Sequence, residues 1–322
     1  MKTAWVFSGG GAKGAYQSGI MNELQANNVV DIGRNPGYVA GISVGSLNGL
    51  AAACDEIPTV TQIWQTISND DIYRYRGVVS TAARYRLSER TGFVAPPMGL
   101  YDMSPLMDLL EKHTKGTKGK KKGWTIKIPL VVGVVNIESG EYKTVLFKPG
   151  TEVDDDVLEV IKASCAIPVT FDVVNVKDNR YIPDGLYVDG GLKHITPLSA
   201  IVGFNPDKVM IVICDRYKNR DSLISGSVKN ILDVARSSIS ALVGNNFMSD
   251  LDKYFWRNEL ARAMGSPVEF GDKILKYYPT IFIEPNRHLG GSMDFSADKG
   301  RERVREGAKM VTNNMIKQMK QE

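Results

Sequence analysis

Histidine and cysteine are both scarce in this 322-residue chain, with three of each. The cysteines, Cys54, Cys165 and Cys214, fall in apolar segments without paired spacing. That excludes a disulfide framework and suits a reducing compartment. With only His113, His194 and His288 present, chemistry that depends on a histidine base has few places to reside. Apolar runs are short: none approaches the roughly 18 residues of a membrane-crossing helix, so any membrane contact is expected to be peripheral. No export leader is visible, because Met1-Lys2 leads straight into the strand-like Thr3-Ala4-Trp5-Val6-Phe7, and a cytoplasmic location is expected. A large excess of one charge is missing as well. The formal charge of +4 is too small to suggest nucleic acid, though it is compatible with an anionic surface. No internal repeat and no clear boundary divides the chain, so residues 1–322 are expected to form one domain.

What is present is an ordinary globular composition, 43% hydrophobic and 24% charged, enough for a sizeable core. The N-terminal part reads strand (Thr3 to Ser8), glycine loop (Gly9 to Gly14), helix (Ala15 to Ala26), then a second strand (Tyr38 to Ile42) that turns at Ser43 into another helix. Two successive strand–turn–helix units predict a mostly parallel sheet covered by helices, an α/β fold. Further on, the residue pattern predicts helices at Thr59 to Ser68 and Leu106 to Lys112, and a hairpin of Ile128 to Asn136 with Tyr142 to Lys148. A helix capped by Asp154-Asp155-Asp156 follows. Strands ending at Asp189 and covering Lys208 to Cys214 are expected next, then two helices near Val228 to Leu242 and Ser249 to Met264. A strand at Thr280 to Glu284 and a helix from Ser296 to Lys320 complete the expectation.

The chemistry concentrates in three places. Gly41-Ile42-Ser43-Val44-Gly45 places glycines two positions either side of a serine, at a strand end. A turn this tight leaves no room for side chains at Gly41 or Gly45 and isolates the serine at the apex, a nucleophile elbow. Gly9 to Gly14 presents backbone N–H groups at a helix start to something anionic. In a dinucleotide fold that anion is a pyrophosphate, with Asp31 standing where a ribose-binding acid would sit. Beside an elbow serine it is the oxyanion of a tetrahedral intermediate, and the nearby elbow favours this second reading. The hydroxyl of Ser43 needs a base. Asp189, in Val188-Asp189-Gly190-Gly191, is one candidate; the chain order Ser43, Asp189, His288 would also fit an α/β-hydrolase triad. A Rossmann-type nucleotide module and a lipid-binding scaffold that retains a dead hydrolase fold are the other functional alternatives.

Gly9-Gly10-Gly11-Ala12-Lys13-Gly14, Gly41-Ile42-Ser43-Val44-Gly45 and Asp189-Gly190-Gly191, in that order, resemble the patatin-like phospholipases over roughly residues 4–202. Weaker echoes are Gly99 to Leu106, Ala163-Ser164-Cys165-Ala166-Ile167-Pro168, and Pro197. The resemblance implies a three-layer α/β/α fold and hydrolysis of lipid acyl esters by a Ser–Asp dyad without a catalytic histidine, metal or cofactor. Ser43 is then the nucleophile and Asp189 the proton acceptor. The amides of Gly9, Gly10, Gly11 and Val44 form the expected oxyanion hole. A carboxylate of ordinary pKa near 4 is a weak base, so this scheme calls for a dry site.

The chain departs from the family pattern at His194-Ile195, where asparagines are common, and at Val169 to Asp172. Lys13 and His194 are candidate headgroup contacts. The lysine-rich loop of Lys115, Lys118, Lys120, Lys121, Lys122 and Trp124 is the candidate contact with anionic lipid. Residues 69 to 100, with their Tyr/Arg clusters, are the expected cover over the acyl site.

Overall fold

The computed structural model describes residues 2–29, 37–76, 83, 86, 99–116, 123–217, 231–270 and 273–320. Its strands are β1 (Thr3–Phe7), β2 (Tyr38–Gly41), β3 (Arg74–Tyr75), β4 (Gly99–Asp102), β5 (Leu130–Asn136), β6 (Tyr142–Phe147), β7 (Val169–Phe171), β8 (Val174–Val176), β9 (Gly185–Asp189), β10 (Lys208–Val212), β11 (Val268–Phe270), β12 (Lys273–Leu275) and β13 (Thr280–Ile283). The α-helices are α1 (Gly14–Ala26), α2 (Val44–Cys54), α3 (Ile57–Thr66), α4 (Ser104–Thr114), α5 (Asp155–Cys165), α6 (Leu198–Val202), α7 (Ile231–Ala263), α8 (Ala297–Met310) and α9 (Asn313–Lys320).

Eight strands make the central sheet in the order β13-β10-β1-β2-β5-β9-β8, with β6 paired to β5. The run from β13 to β5 is parallel throughout, while β6, β9 and β8 join antiparallel. The first strand therefore has β2 on one side and β10 on the other. Ligand clefts of open α/β sheets form at such a switch point, beyond the carboxyl ends of the strands.

Alternate residues of the strands feed two cores. Trp5 and Phe7 of β1, with Met210 and Val212 of β10, pack on the side of α1, α2, α3 and α5. Ala4, Val6, Val209 and Ile211 face the opposite core, built with Ile201, Phe247 and Leu251 from α6 and α7. Both faces of a parallel sheet must be covered, and these two helical sets make the expected three layers.

One detail of register governs the site. Along one edge, β5 pairs with β6 from Leu130 to Val135. Its other edge is shared: β2 occupies the first half, ending at Gly41 opposite Val132, and β9 occupies the second, ending at Asp189 opposite Val134. The two strands meet head to head across Gly133.

Two helical expectations are corrected. The pair expected near Val228 to Leu242 and Ser249 to Met264 is one helix of 33 residues, α7. Gly244-Asn245-Asn246 is a poor helix sequence. Packing overrides it, because Phe247 and Leu251 are fully buried and the Asn246 side chain donates to Leu192 O at 2.6 Å. Conversely, the expected Ser296 to Lys320 helix is broken at Val311. Thr312 Oγ1 accepts the Met315 amide and starts α9 afresh. The strands β7, β8, β11 and β12, three residues each, were too short to leave a pattern in the sequence.

Candidate active site

Ser43 sits between β2 and α2 with φ 55° and ψ −130°, a conformation that L-residues rarely adopt. The flanking glycines are required by close approach: a Cβ on Gly41 would lie 2.1 Å from Gly45 O, and one on Gly45 would lie 2.4 Å from Phe7 O. The elbow is held from beneath. The Ser43 amide donates to Ser164 Oγ at 3.0 Å, and Ser164 Oγ donates to Gly133 O at 2.9 Å. Ser164 thus ties Ser43 to the residue over which β2 and β9 meet. Sequence reading noted its segment but gave Ser164 no role.

Asp189 ends β9, 4% exposed. Its backbone amide donates to Ala166 O at 2.9 Å, which fixes the strand end. Burial pushes its carboxyl up to about 7, against the Gly191 amide, 2.7 Å from Oδ1, and a hydrogen bond with the Ser43 side chain, both of which favour the ionised form.

The glycine loop leaves β1 directly beside the elbow. Of its amides, that of Gly9 donates to Ile195 O at 3.1 Å and that of Ala12 to Ser292 O at 2.7 Å. Gly9 is therefore corrected: its N–H is already committed to Ile195 and offers nothing to an oxyanion. No described residue accepts the amides of Gly10, Gly11 or Val44. Gly14 opens α1, and Gly190 and Gly191 form the turn after Asp189.

Two cavities meet at Ser43. The first has about 890 Å³ of empty space, part of it open to solvent. Its walls are almost wholly apolar, Val44, Leu47, Trp64, Leu110, Trp124 and Phe295 among them. The second is a more polar cleft that contains Gly10, Gly11, Lys13, Ser43, Asp189 and Asp215, walled on one side by Ile239, Val243 and Phe247 of α7. Ser43, Gly11 and Ile167 belong to both.

Lys13 lines the cleft, as a headgroup contact would, 4% exposed and with its ammonium paired to Asp215 at 2.5 Å. Asp215, just past β10, is a cleft residue that sequence reading missed; its place next to β1 at the switch point was the available signal. Several other expected contacts lie elsewhere. His194 lines neither cavity. Its Nδ1 bonds Asp250 Oδ1 of α7 at 2.8 Å and its ring packs edge-on against Tyr142, so it is a tether between the turn and α7. His288 is exposed, with Nδ1 accepting the Gly290 amide, and it too is outside both cavities. Trp124 is corrected from a surface anchor to an interior wall of the apolar cavity, 7% exposed. Lys115 is engaged by Asp155 at 2.5 Å and Glu111 at 3.2 Å. Lys118, Lys120, Lys121, Lys122, Asp31 and most of the expected cover lie outside the described residues. At a described edge of that cover, Ile72 lines the apolar cavity, and Tyr73 packs on Tyr101, Phe171 and Phe295. Among the described residues no helix is long and apolar enough to cross a membrane.

Comparison with known proteins places this geometry in context. The family model described as patatin-like phospholipase matches residues 5–202. No curated protein sequence matches. Among solved structures, VipD from Legionella pneumophila is 14% identical, with a TM-score of 0.42 over 99% of this chain and 67% of its own. Human GIVD cytosolic phospholipase A2 in complex with methyl gamma-linolenyl fluorophosphonate is 11% identical, with a TM-score of 0.43 over 99% of this chain and 58% of its own. The chain thus spans between about three fifths and two thirds of the length of these neighbours.

Proposed function

The chain belongs to the patatin-like phospholipase family, and on that premise we propose that it is a serine hydrolase that cleaves fatty-acyl esters of phospholipids or lysophospholipids, with Ser43 and Asp189 as its dyad. The observation that carries this reading is the position of Ser43, on the wall common to an apolar cavity and a polar cleft, with the buried Asp189 carboxyl beside it. The cavity suits an acyl chain and the cleft a glycerol and headgroup, so the scissile ester would lie at the serine.

The steps follow from the groups present. Ser43 Oγ attacks the ester carbonyl and its proton passes to Asp189. The amides of Gly10 and Gly11, with that of Val44 at the start of α2, receive the oxyanion. Collapse breaks the acyl–oxygen bond, and Asp189 returns the proton to the departing alkoxide. Water then attacks the acyl-enzyme carbonyl and gives a proton to Asp189; collapse breaks the bond to Ser43 Oγ and releases the fatty acid, and Asp189 returns the proton to Ser43. A carboxyl with a pKa near 7 is a far better proton acceptor than an ordinary aspartate. Its burial supports this reading.

The test is covalent labelling with a fluorophosphonate probe followed by peptide mass mapping, alongside fatty-acid release from phosphatidylcholine and lysophosphatidylcholine vesicles. The expected result is a single adduct on Ser43, absent in Ser43→Ala, with matching loss of fatty-acid release. An unlabelled wild type, or an adduct that persists in Ser43→Ala, overturns the dyad.

A further inference from the structure

Beyond the family-matched segment, helix α8 packs tightly against α1 and α3. A Cβ on Gly300 would lie 2.0 Å from Trp64 O, one on Gly307 2.0 Å from Tyr16 O, and one on Gly19 2.1 Å from Val304 O. Backbone therefore meets backbone where α8 crosses α1 and α3. Arg303 falls between the two α8 glycines, three residues after one and four before the other, hence on the same face. It is carried into the core and is 2% exposed.

A buried guanidinium is costly unless its donors are satisfied. No described carboxylate bonds it; Asp294 Oδ1 is taken by the amide and hydroxyl of Ser296. Four backbone carbonyls serve instead. Nε donates to Leu289 O at 2.8 Å, Nη2 to Gly291 O at 3.0 Å, and Nη1 to Asp294 O at 2.6 Å and to Ala12 O at 3.2 Å. Three of these belong to the 289–296 segment, and the fourth is in the glycine loop. That segment also accepts the Ala12 amide at Ser292 O. Ala12 is thus held at both its N–H and its C=O by a unit organised around one side chain. With Ala12 fixed, and with Gly11 at φ +57° packed against Ser292 O, the amides of Gly10 and Gly11 stay unpaired at the wall they share with Ser43.

We infer that Arg303 is a positioning residue for the oxyanion hole, acting through Ala12 and the 289–296 segment to aim the Gly10 and Gly11 amides. This rests on the reading of Ser43 as nucleophile. A fixed planar fork of donors is needed to span these carbonyls, which a lysine ammonium cannot reproduce. Small misplacements of such groups cost up to about a hundredfold in rate.

Two measurements on the full chain test it. Hydrogen exchange of the peptide carrying Gly9 to Gly14 reads the clamp without substrate. In Arg303→Lys and Arg303→Met it should rise at least tenfold, while the centre of α1 stays unchanged. Steady-state hydrolysis of para-nitrophenyl butyrate should show kcat reduced at least tenfold with KM and the pH midpoint unchanged, and added methylguanidinium should restore part of the rate to Arg303→Ala. Unaltered exchange in the loop overturns the inference. So does a loss that appears in KM or in the pH midpoint instead of kcat, or a rate that guanidinium does not touch in a variant whose α1 remains protected. Should the wild type cleave no ester, the reading of Ser43 fails separately, and loop exchange still decides whether Arg303 holds the amides in place.

Discussion

Residues 5–202 and residues 203–322 divide the work of this site differently. The first region carries every group to which the proposed chemistry assigns a bond: Ser43, Asp189, and the amides of Gly10, Gly11 and Val44. The second carries no recognisable motif, yet it supplies β10 and β13 of the sheet, the α7 wall of the cleft, Met293 and Phe295 of the apolar cavity, and the Arg303 clamp. Reactive groups are held by short-range backbone geometry, which a motif can encode. Their placement and the shape of the space around them come from long-range packing.

That contrast can be broken by experiment, and the largest effect lies in the first region. Ser43→Ala should bring ester hydrolysis to background while thermal unfolding stays within a few degrees; residual turnover would detach the chemistry from the elbow. Asp189→Asn should lower kcat by roughly a thousandfold or more, in the range expected when a base is removed from its nucleophile.

Its pH behaviour follows with a definite sign. Asp189 must be ionised to accept a proton, so wild-type kcat/KM should rise with pH through a midpoint near 7. The folded-state pKa lies above the unfolded value of 3.8, so the native state binds the extra proton. Stability from this group is therefore present at low pH, falls as pH rises from about 4 to about 7, and is flat above that. Asp189→Asn should consequently unfold later than wild type at pH 8, by up to about 4 kcal/mol, and show no such gain at pH 3. Equal stability of the two proteins at both pH values would mean that the carboxyl is not desolvated.

Effects on selectivity come next. Val243→Trp, from α7, narrows the polar cleft and should cost roughly tenfold on phospholipid while sparing para-nitrophenyl acetate. Leu110→Trp, in the wall of the apolar cavity, should do the same for long acyl chains against short ones. If either variant lost all substrates equally, shape and chemistry would not be separable as stated. The smallest effect on turnover is expected from changing Lys118, Lys120, Lys121 and Lys122 to glutamine. Binding to anionic vesicles should weaken by about 1 kcal/mol per lysine near the surface, with soluble-ester turnover unchanged.

The same contrast explains what the sequence disclosed. The turn at Ser43 was legible because its glycine spacing dictates a local backbone shape, and the strand end at Asp189 because two glycines follow it. Asp154 as a helix cap was equally local, and its carboxylate accepts the Val157 amide at 3.2 Å. His194, Gly9 and Trp124 were misjudged for one common reason. Their partners, Asp250, Ile195 and the core around the apolar cavity, are not sequence neighbours. Arg303 was invisible inside Arg301-Glu302-Arg303-Val304-Arg305-Glu306, where a core cation looks like its solvated neighbours. Only the glycines at 300 and 307 mark its face as the one that docks.

The abutment of β2 and β9 over Gly133 makes β5 a caliper for the proposed dyad. The gap between hydroxyl and carboxyl is measured in residues of a single strand, each worth about 3.3 Å, rather than by the long connections on either side. Connecting residues outside the elbow and the Ser164–Ala166 support can therefore drift in sequence without resetting that gap. One residue inserted beside Gly133 would reset it at once and turn one partner away from the other.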